Sequence, residues 1–361
     1  MATTGADCQK VPGARSASSG LSVTVLLCIR NRREALMGTS LPSLRAQTYR
    51  PFDVLVWDAS DEGRTSEDIH DWGVPSGVHV VWKRAPRRGI SSQRNDVLKD
   101  LSCDIVVLMD DDLALGERAL EKLVSCLSGD DPECGRLAGS QCAMTTRTAA
   151  SPVTLLSGVR HRVARVGRRL LLMGYAEYHQ YIRPSGHAAW LDPGLIRVSD
   201  SLEHLCRTDL EWITGSCSAY RMDVIRHEGI LFEERLERFG GYAAGDDVLF
   251  SGQLHERGWL LGYCYGAQAL HIPSASGRGN SWALAATRAY NRALIWNQLC
   301  RGRAWAVPAH VWSVVCDTGL IALHSLIKLD ARSLLGWFTG LWASFGIGDA
   351  ADMQTLHRGP P

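Results

Sequence analysis

Apolar residues fall in short, nearly unbroken runs separated by segments of helical spacing. "SVTVLLCIR" (22–30), "FDVLVWDAS" (52–60), "VHVVWKR" (78–84) and "DIVVLMDDD" (104–112) are strand-length runs. Their continuity, rather than alternation, predicts strands of a parallel sheet covered on both faces. Between them, "REALMGTSLPSLRAQ" (33–47) has Leu36, Leu41 and Leu44 on a candidate inner face. "GISSQRNDVLKDL" (89–101) reads as a glycine-led loop followed by a helix, and "GERALEKLVSCLS" (116–128) as an amphipathic helix. Alternating strands and helices predict an α/β fold.

The second half is less regular. "LEWITGSCSAYRMDVI" (210–225) reads as strand, turn and helix. "GGYAAGDDVLFSGQLHERGW" (240–259) puts two acids after a glycine-rich loop, where they open a helix. "LLGYCYGAQALHI" (260–272) reads as a strand ending at His271. The stretch after residue 300 is rich in Trp and Leu, and "AWAVPAHVWSVVC" (304–316) comes nearest to a transmembrane run but is interrupted by Pro308 and followed by Asp317. It is expected to form a buried helical subdomain or an in-plane membrane contact. A basic run, "GVRHRVARVGRRLLLMG" (158–174), reads as a solvated helix face or as a contact for a phosphate-bearing acceptor or anionic lipid.

Composition narrows the class. The 361 residues carry a formal net charge of +1 and are 45% hydrophobic, which fits a globular protein with no bulk attraction to polyanions. Eleven scattered cysteines with no C-x-x-C pair argue against a zinc site or a disulfide framework and suit a reducing compartment. Residues 1–20 are small and polar, read as a mobile tail with no signal-peptide core.

The chemistry gathers at predicted strand ends, where ligands bind in such sheets. Arg30, Asp58, Lys83 and Asp110, Asp111 and Asp112 all fall there. Three adjacent carboxylates repel at low dielectric, so the cluster either meets solvent or holds something positive. Aspartate oxygens suit Mg²⁺ or Mn²⁺, and the imidazole of His271 suits Mn²⁺ as well. Asp58 is a candidate ribose or base contact. Arg30, Arg32 and Arg94 are candidates for diphosphate oxygens.

The order of these features resembles glycosyltransferase family 2, the GT-A nucleotide-diphospho-sugar transferases, and within it the rhamnosyltransferase-like and galactofuranosyltransferase-like branches. The likeness runs from about Ser22 to about Cys300. "VVLMDDDLAL" resembles the D-x-D, "RRGISSQRNDVL" the Arg-Asn helix start beneath the sugar nucleotide, "FGGYAAGDDVLFSGQLHERGW" the Gly-Glu-Asp segment, and "ALHI" the closing metal-site histidine. Two departures stand out. The usual Glu-Asp is Asp246–Asp247, and the common Thr of the first strand is Cys28. The resemblance implies a GT-A, Rossmann-like, mostly parallel sheet with helices on both faces over 21–300, split into a nucleotide half (21–140) and an acceptor half (141–300). A helical C-terminal extension over 301–361 would follow.

The same resemblance implies an inverting enzyme. Asp247 would be the general base with Asp246 in reserve. Asp112 and His271, with Asp110 nearby, would hold Mn²⁺ or Mg²⁺, and Asp111 would support the site. Apart from the resemblance, the glycine- and serine-rich composition of "SASGRGNS" around Arg278 fits a lid over bound donor or a plain surface turn. The implied partners are a nucleoside-diphosphate sugar donor and a saccharide, lipid-linked or small-molecule acceptor. The implied setting is cytoplasmic, at polysaccharide or cell-envelope synthesis, with peripheral contact at the inner membrane face as the alternative for the C-terminal region. A sugar nucleotidyltransferase, a haloacid-dehalogenase-type phosphatase and an inactive GT-A scaffold remain rival readings.

Overall fold

A computed structural model describes residues 20–61, 77–128, 134–146, 176–177, 179–191, 206–240, 242–272 and 280–347. The basic run at 158–174 and Arg278 lie outside them. The central sheet begins with β1 (Val23–Ile29), β2 (Phe52–Asp58), β3 (Val78–Arg84), β4 (Ile105–Met109) and β5 (Leu113–Leu115). It continues with β6 (Leu137–Thr146), β10 (Cys206–Arg207), β11 (Cys217–Arg221) and β12 (Leu260–His271). Three short strands, β7 (Ala176–Glu177), β8 (Tyr181–Ile182) and β9 (Ala188–Leu191), form a separate small sheet.

Across the main sheet the order is β10-β12-β6-β11-β4-β1-β2-β3, with β5 paired to β12. β1, β2, β3 and β4 are mutually parallel, and β6 and β12 are parallel to each other. β11 runs antiparallel between β4 and β6. The expected α/β class, mostly parallel sheet and helical C-terminal region are therefore all present. β4 is buried along its whole length, as its unbroken apolar run requires.

Side-chain alternation divides the core. Val25, Leu27, Val54, Val56, Val107 and Met109 pack on one face with Leu36, Leu41 and Leu44. Leu26, Leu55, Val106 and Leu108 pack on the other with Val97, Leu98 and Phe250. The period of two in a strand makes this division automatic. The stretch 33–45 is helical but carries a π turn at Leu36–Ser40. The predicted strand within 210–225 is shorter than the apolar pattern implied, because Leu210 and Ile213 are buried in loop conformation ahead of β11.

Helix α1 (Ile90–Leu98) follows β3, α2 (Ala119–Ser128) follows β5, and α3 (Asp246–Glu256) precedes β12. α4 (Ser281–Ile295), α5 (Ala306–Lys328) and α6 (Arg332–Ser344) follow it among the described residues. α4 and α6 pack closely through Gly336 and Gly340. A Cβ on either glycine would fall 2.1 Å from the Trp282 carbonyl oxygen or 2.3 Å from that of Ala286.

Candidate active site

Strand polarity builds the site. β11 runs against β4, so its first residue, Cys217, lies beside the last residue of β4, Met109. The Asp110 N–H donates to the Ser216 carbonyl at 2.8 Å. This ties the aspartate run to the loop 214–216. β5 pairs antiparallel with the end of β12, Leu113 opposite His271. The Ile272 N–H donates to the Asp112 carbonyl at 2.9 Å. The Asp112 carboxylate and the His271 Nε2 consequently stand 3.4 Å apart.

The acid pair arrives from α3. Gly245 caps this helix at φ 86°, a left-handed geometry that favours glycine, and a Cβ there would sit 2.6 Å from Ile295 Cδ1. Asp246 and Asp247 open the first turn, where negative charge complements the helix dipole. Asp247 accepts from the Val248 N–H at 2.8 Å and the Gly215 N–H at 3.0 Å. Asp246 accepts instead from Arg94 Nη1 at 2.6 Å.

Arg94 is the centre of the arrangement. Its side chain is 6% exposed and lies 3.7 Å from the Asp110 carboxylate. It donates to the Gly215 carbonyl at 3.1 Å, and its guanidinium lies over the Phe232 ring. The next residue, Asn95, clamps the Phe232 backbone with two 2.8 Å bonds. Glu237 caps the start of α1 by accepting from the Ser92 N–H at 2.8 Å. Gly89 permits this approach, since a Cβ there would overlap the Glu237 carboxylate. α1 is thus a polar, buried helix fastened at both ends, and its main product is one fixed guanidinium.

Arg32 fills the other half of the site. Its Nε donates to Asp111 at 2.9 Å and its Nη2 to Asp112 at 2.6 Å. Part of the answer to the triple aspartate is therefore internal. Asp111 and Asp112 share one arginine, and Asp110 faces another.

Burial sets the proton affinities. It pushes the Asp246 carboxyl up to about 7, against the pull of Arg94 and with the added repulsion of Asp247. Burial also raises Asp247, opposed by its two backbone N–H donors. Asp111 is pushed up to about 7 by burial despite Arg32, and burial raises Asp110 against Arg94. The Cys28 thiol, half-buried close by, is raised to about 12 by desolvation and stays neutral.

The remaining candidates stand elsewhere. Asp58 has no exposed surface, and its oxygens accept from the Ser60 N–H at 2.7 Å and Trp82 Nε1 at 3.1 Å. It closes the turn after β2. Arg30 is well exposed and lies 3.9 Å from Asp61, which Asn31 and Arg88 also contact. Lys83 lies within β3, one residue before its end.

Gly215 escaped the sequence reading. A Cβ at this position would fall 3.0 Å from Arg94 Nη1 and 3.1 Å from Asp247 Cβ. The only signal was a glycine between two small hydroxyl residues ahead of a strand, which chance supplies often.

Residues 24–183 match the model of Glycosyl transferase family 2. The matched stretch of this glycosyltransferase family includes Arg32, Arg94 and Asp110 to Asp112, while Asp246, Asp247 and His271 lie beyond it. No curated protein matches the chain. Among solved structures, the chain is similar to the mannosyltransferase PcManGT from Pyrobaculum calidifontis, in complex with GDP-Man and Mn²⁺. That similarity has 15% identity, 98% coverage of this chain, 92% of that chain and a TM-score of 0.48. It is also similar to GalNAc-T7 with UDP, GalNAc and Mn²⁺, at 14% identity, 77% coverage of this chain, 51% of that chain and a TM-score of 0.49.

Proposed function

We propose that the chain is an inverting glycosyltransferase that moves a sugar from a nucleoside-diphosphate sugar to an acceptor hydroxyl. One observation carries the reading: Asp110, Asp246 and Asp247 converge on Arg94, beside the pair Asp112 and His271. The family match over 24–183 supports the donor side of this reading.

Asp247 is the base. Both it and Asp246 are raised by burial, but Asp246 is locked on Arg94, whereas Asp247 is partly exposed and held only by backbone N–H groups. It would take the proton of the acceptor hydroxyl as that oxygen attacks the anomeric carbon. A positioned base of this kind is worth roughly 10²–10⁴-fold. The Gly215 and Val248 N–H groups fix its direction.

A carboxylate oxygen and an imidazole nitrogen side by side are donors that suit Mn²⁺. No group of three or more His, Cys, Asp or Glu side chains able to hold a metal gathers among the described residues. Asp112 and His271 would hold Mn²⁺ or Mg²⁺ as an open, two-residue site. A divalent ion there would offset charge on the leaving diphosphate. Arg32 supplies positive charge to the same carboxylates when no cation is present. The acceptor is a saccharide, lipid-linked or small-molecule hydroxyl, with rhamnosyl and galactofuranosyl donors as the branch to test first.

The test is a donor screen that reads nucleoside diphosphate release with Mn²⁺ present, repeated with Asp247→Asn. Release from one donor, lost in the variant while that donor still binds, is the expected result. Equal turnover by the variant would exclude Asp247 as base. Binding of no nucleoside diphosphate at all would favour a scaffold.

A further inference from the structure

The helix α5 is patterned inside out. Its buried residues are Ala306, Ser313, Asp317 and Ser325, three of them polar. Its exposed residues are mostly apolar, among them Val307, Val315, Leu323 and Ile327. At 3.6 residues per turn, the exposed apolar positions sweep roughly 200° of arc. A helix that packs on a single protein partner needs an apolar stripe on the order of 100°. α6 extends the same surface with Phe338 at 50% and Trp342 at 79% exposure.

The single carboxylate of α5 is drawn away from this face. Asp317 pairs with Arg292 of α4, and the His187 Nε2 lies 3.3 Å from its carboxylate. His310 also turns inward, bonding the Ser185 carbonyl at 2.9 Å and stacking on Trp296. Lys328 and Arg332 border the turn between the two helices. Cations at such a margin suit anionic head groups, and tryptophan suits the interface itself.

We propose that the outer face of α5 and α6 docks in the plane of a lipid bilayer. α5 is long and apolar enough to span, by length and composition. The Asp317–Arg292–His187 cluster argues for the in-plane position. It joins the middle of α5 to the body of the protein, which spanning would place at the bilayer centre. Lying flat, the helix buries its apolar arc in one leaflet and keeps the cluster above it. This inference concerns where the enzyme works and is independent of which residue is the base.

The experiment floats the full-length chain with vesicles of phosphatidylcholine and phosphatidylglycerol. The chain is expected to rise with the vesicles, and Leu323→Glu with Ile327→Glu to reduce partitioning at least tenfold. Both positions are exposed, so far-UV circular dichroism and melting should match the parent. In the parent, lipids brominated near the head group should quench tryptophan emission, less so after Trp312→Phe with Trp342→Phe. Failure of the parent to float would overturn the proposal. So would a solution dimer that the glutamate variant splits while flotation is unchanged, because a second copy would then cover the face. Equal quenching by brominated and plain lipid would overturn it too.

Discussion

Arg94 and Asp246 meet at 2.6 Å although 152 positions separate them in the chain. Each is buried, and each is the other's principal charge partner. Removing one leaves a charge without compensation in a poorly solvated place. Arg94→Met is therefore expected to destabilise the protein by about 3 kcal/mol at pH 8, read by urea denaturation. The loss should be smaller at pH 5, where Asp246 carries a proton. A pH-independent loss would mean that packing of Arg94 on Phe232 dominates.

The same carboxylate gives stability a pH signature. The folded-state affinity of Asp246 is raised to about 7 from an ordinary value of 3.8. The folded state thus binds more protons than the unfolded chain between these values. The stability this contributes is complete below about pH 4 and is lost as pH rises through about 7. Wild-type stability minus that of Asp246→Asn should fall across this window and level off above about pH 8. A difference that rose with pH would reverse the assignment of burial as the dominant cause.

Asp247→Asn should lower transfer by about 10²–10⁴-fold with donor affinity retained, measured by single-turnover kinetics and calorimetry. Asp246→Asn should also lower transfer, but through the geometry of Arg94. The two acids interact, so the acid limb of the rate profile belongs to the pair rather than to one residue.

Arg32 pairs with Asp112, one of the two residues proposed to hold the cation. Arg32→Ala is expected to tighten Mn²⁺ binding to the donor-free protein on the order of tenfold, the worth of one charge-assisted contact of about 1.5 kcal/mol. Titration followed by Mn²⁺ electron paramagnetic resonance reads this directly. Asp112→Ala should abolish the same signal. Unaltered binding in Asp112→Ala would move the metal elsewhere.

Much of this site could be read along the chain. A buried strand that ends on three acids, and a helix that starts on two, are local patterns with local causes. Their meeting was not local. It depends on β11 entering the sheet backwards, which puts Gly215 and Ser216 beside Asp110. The partner of Arg94 was equally hidden, since a buried arginine in "SSQRND" says nothing of which acid it will face. Asp58 was legible as an acid at a strand end, but its partners, the Ser60 N–H and Trp82 Nε1, were not. The end of β12 was legible as a strand reaching His271, but its neighbour β5 is only three residues long and has no pattern of its own.

α4 is shared by two parts of the molecule. Asn291 donates to the carbonyls of Leu236 and Ala244 at 3.0 Å, and Ile295 rests against Gly245. On its other side, Gly336 and Gly340 let α6 approach to backbone contact. Gly340→Ala should therefore cost about 1–3 kcal/mol. Because one rod carries both contacts, the turn before Asp246 and the helices α5 and α6 should open in a single cooperative step. Amide hydrogens at Leu341 and Leu249 would then exchange at matched rates, and deleting everything after Arg303 would loosen the turn before Asp246 along with the helices it removes.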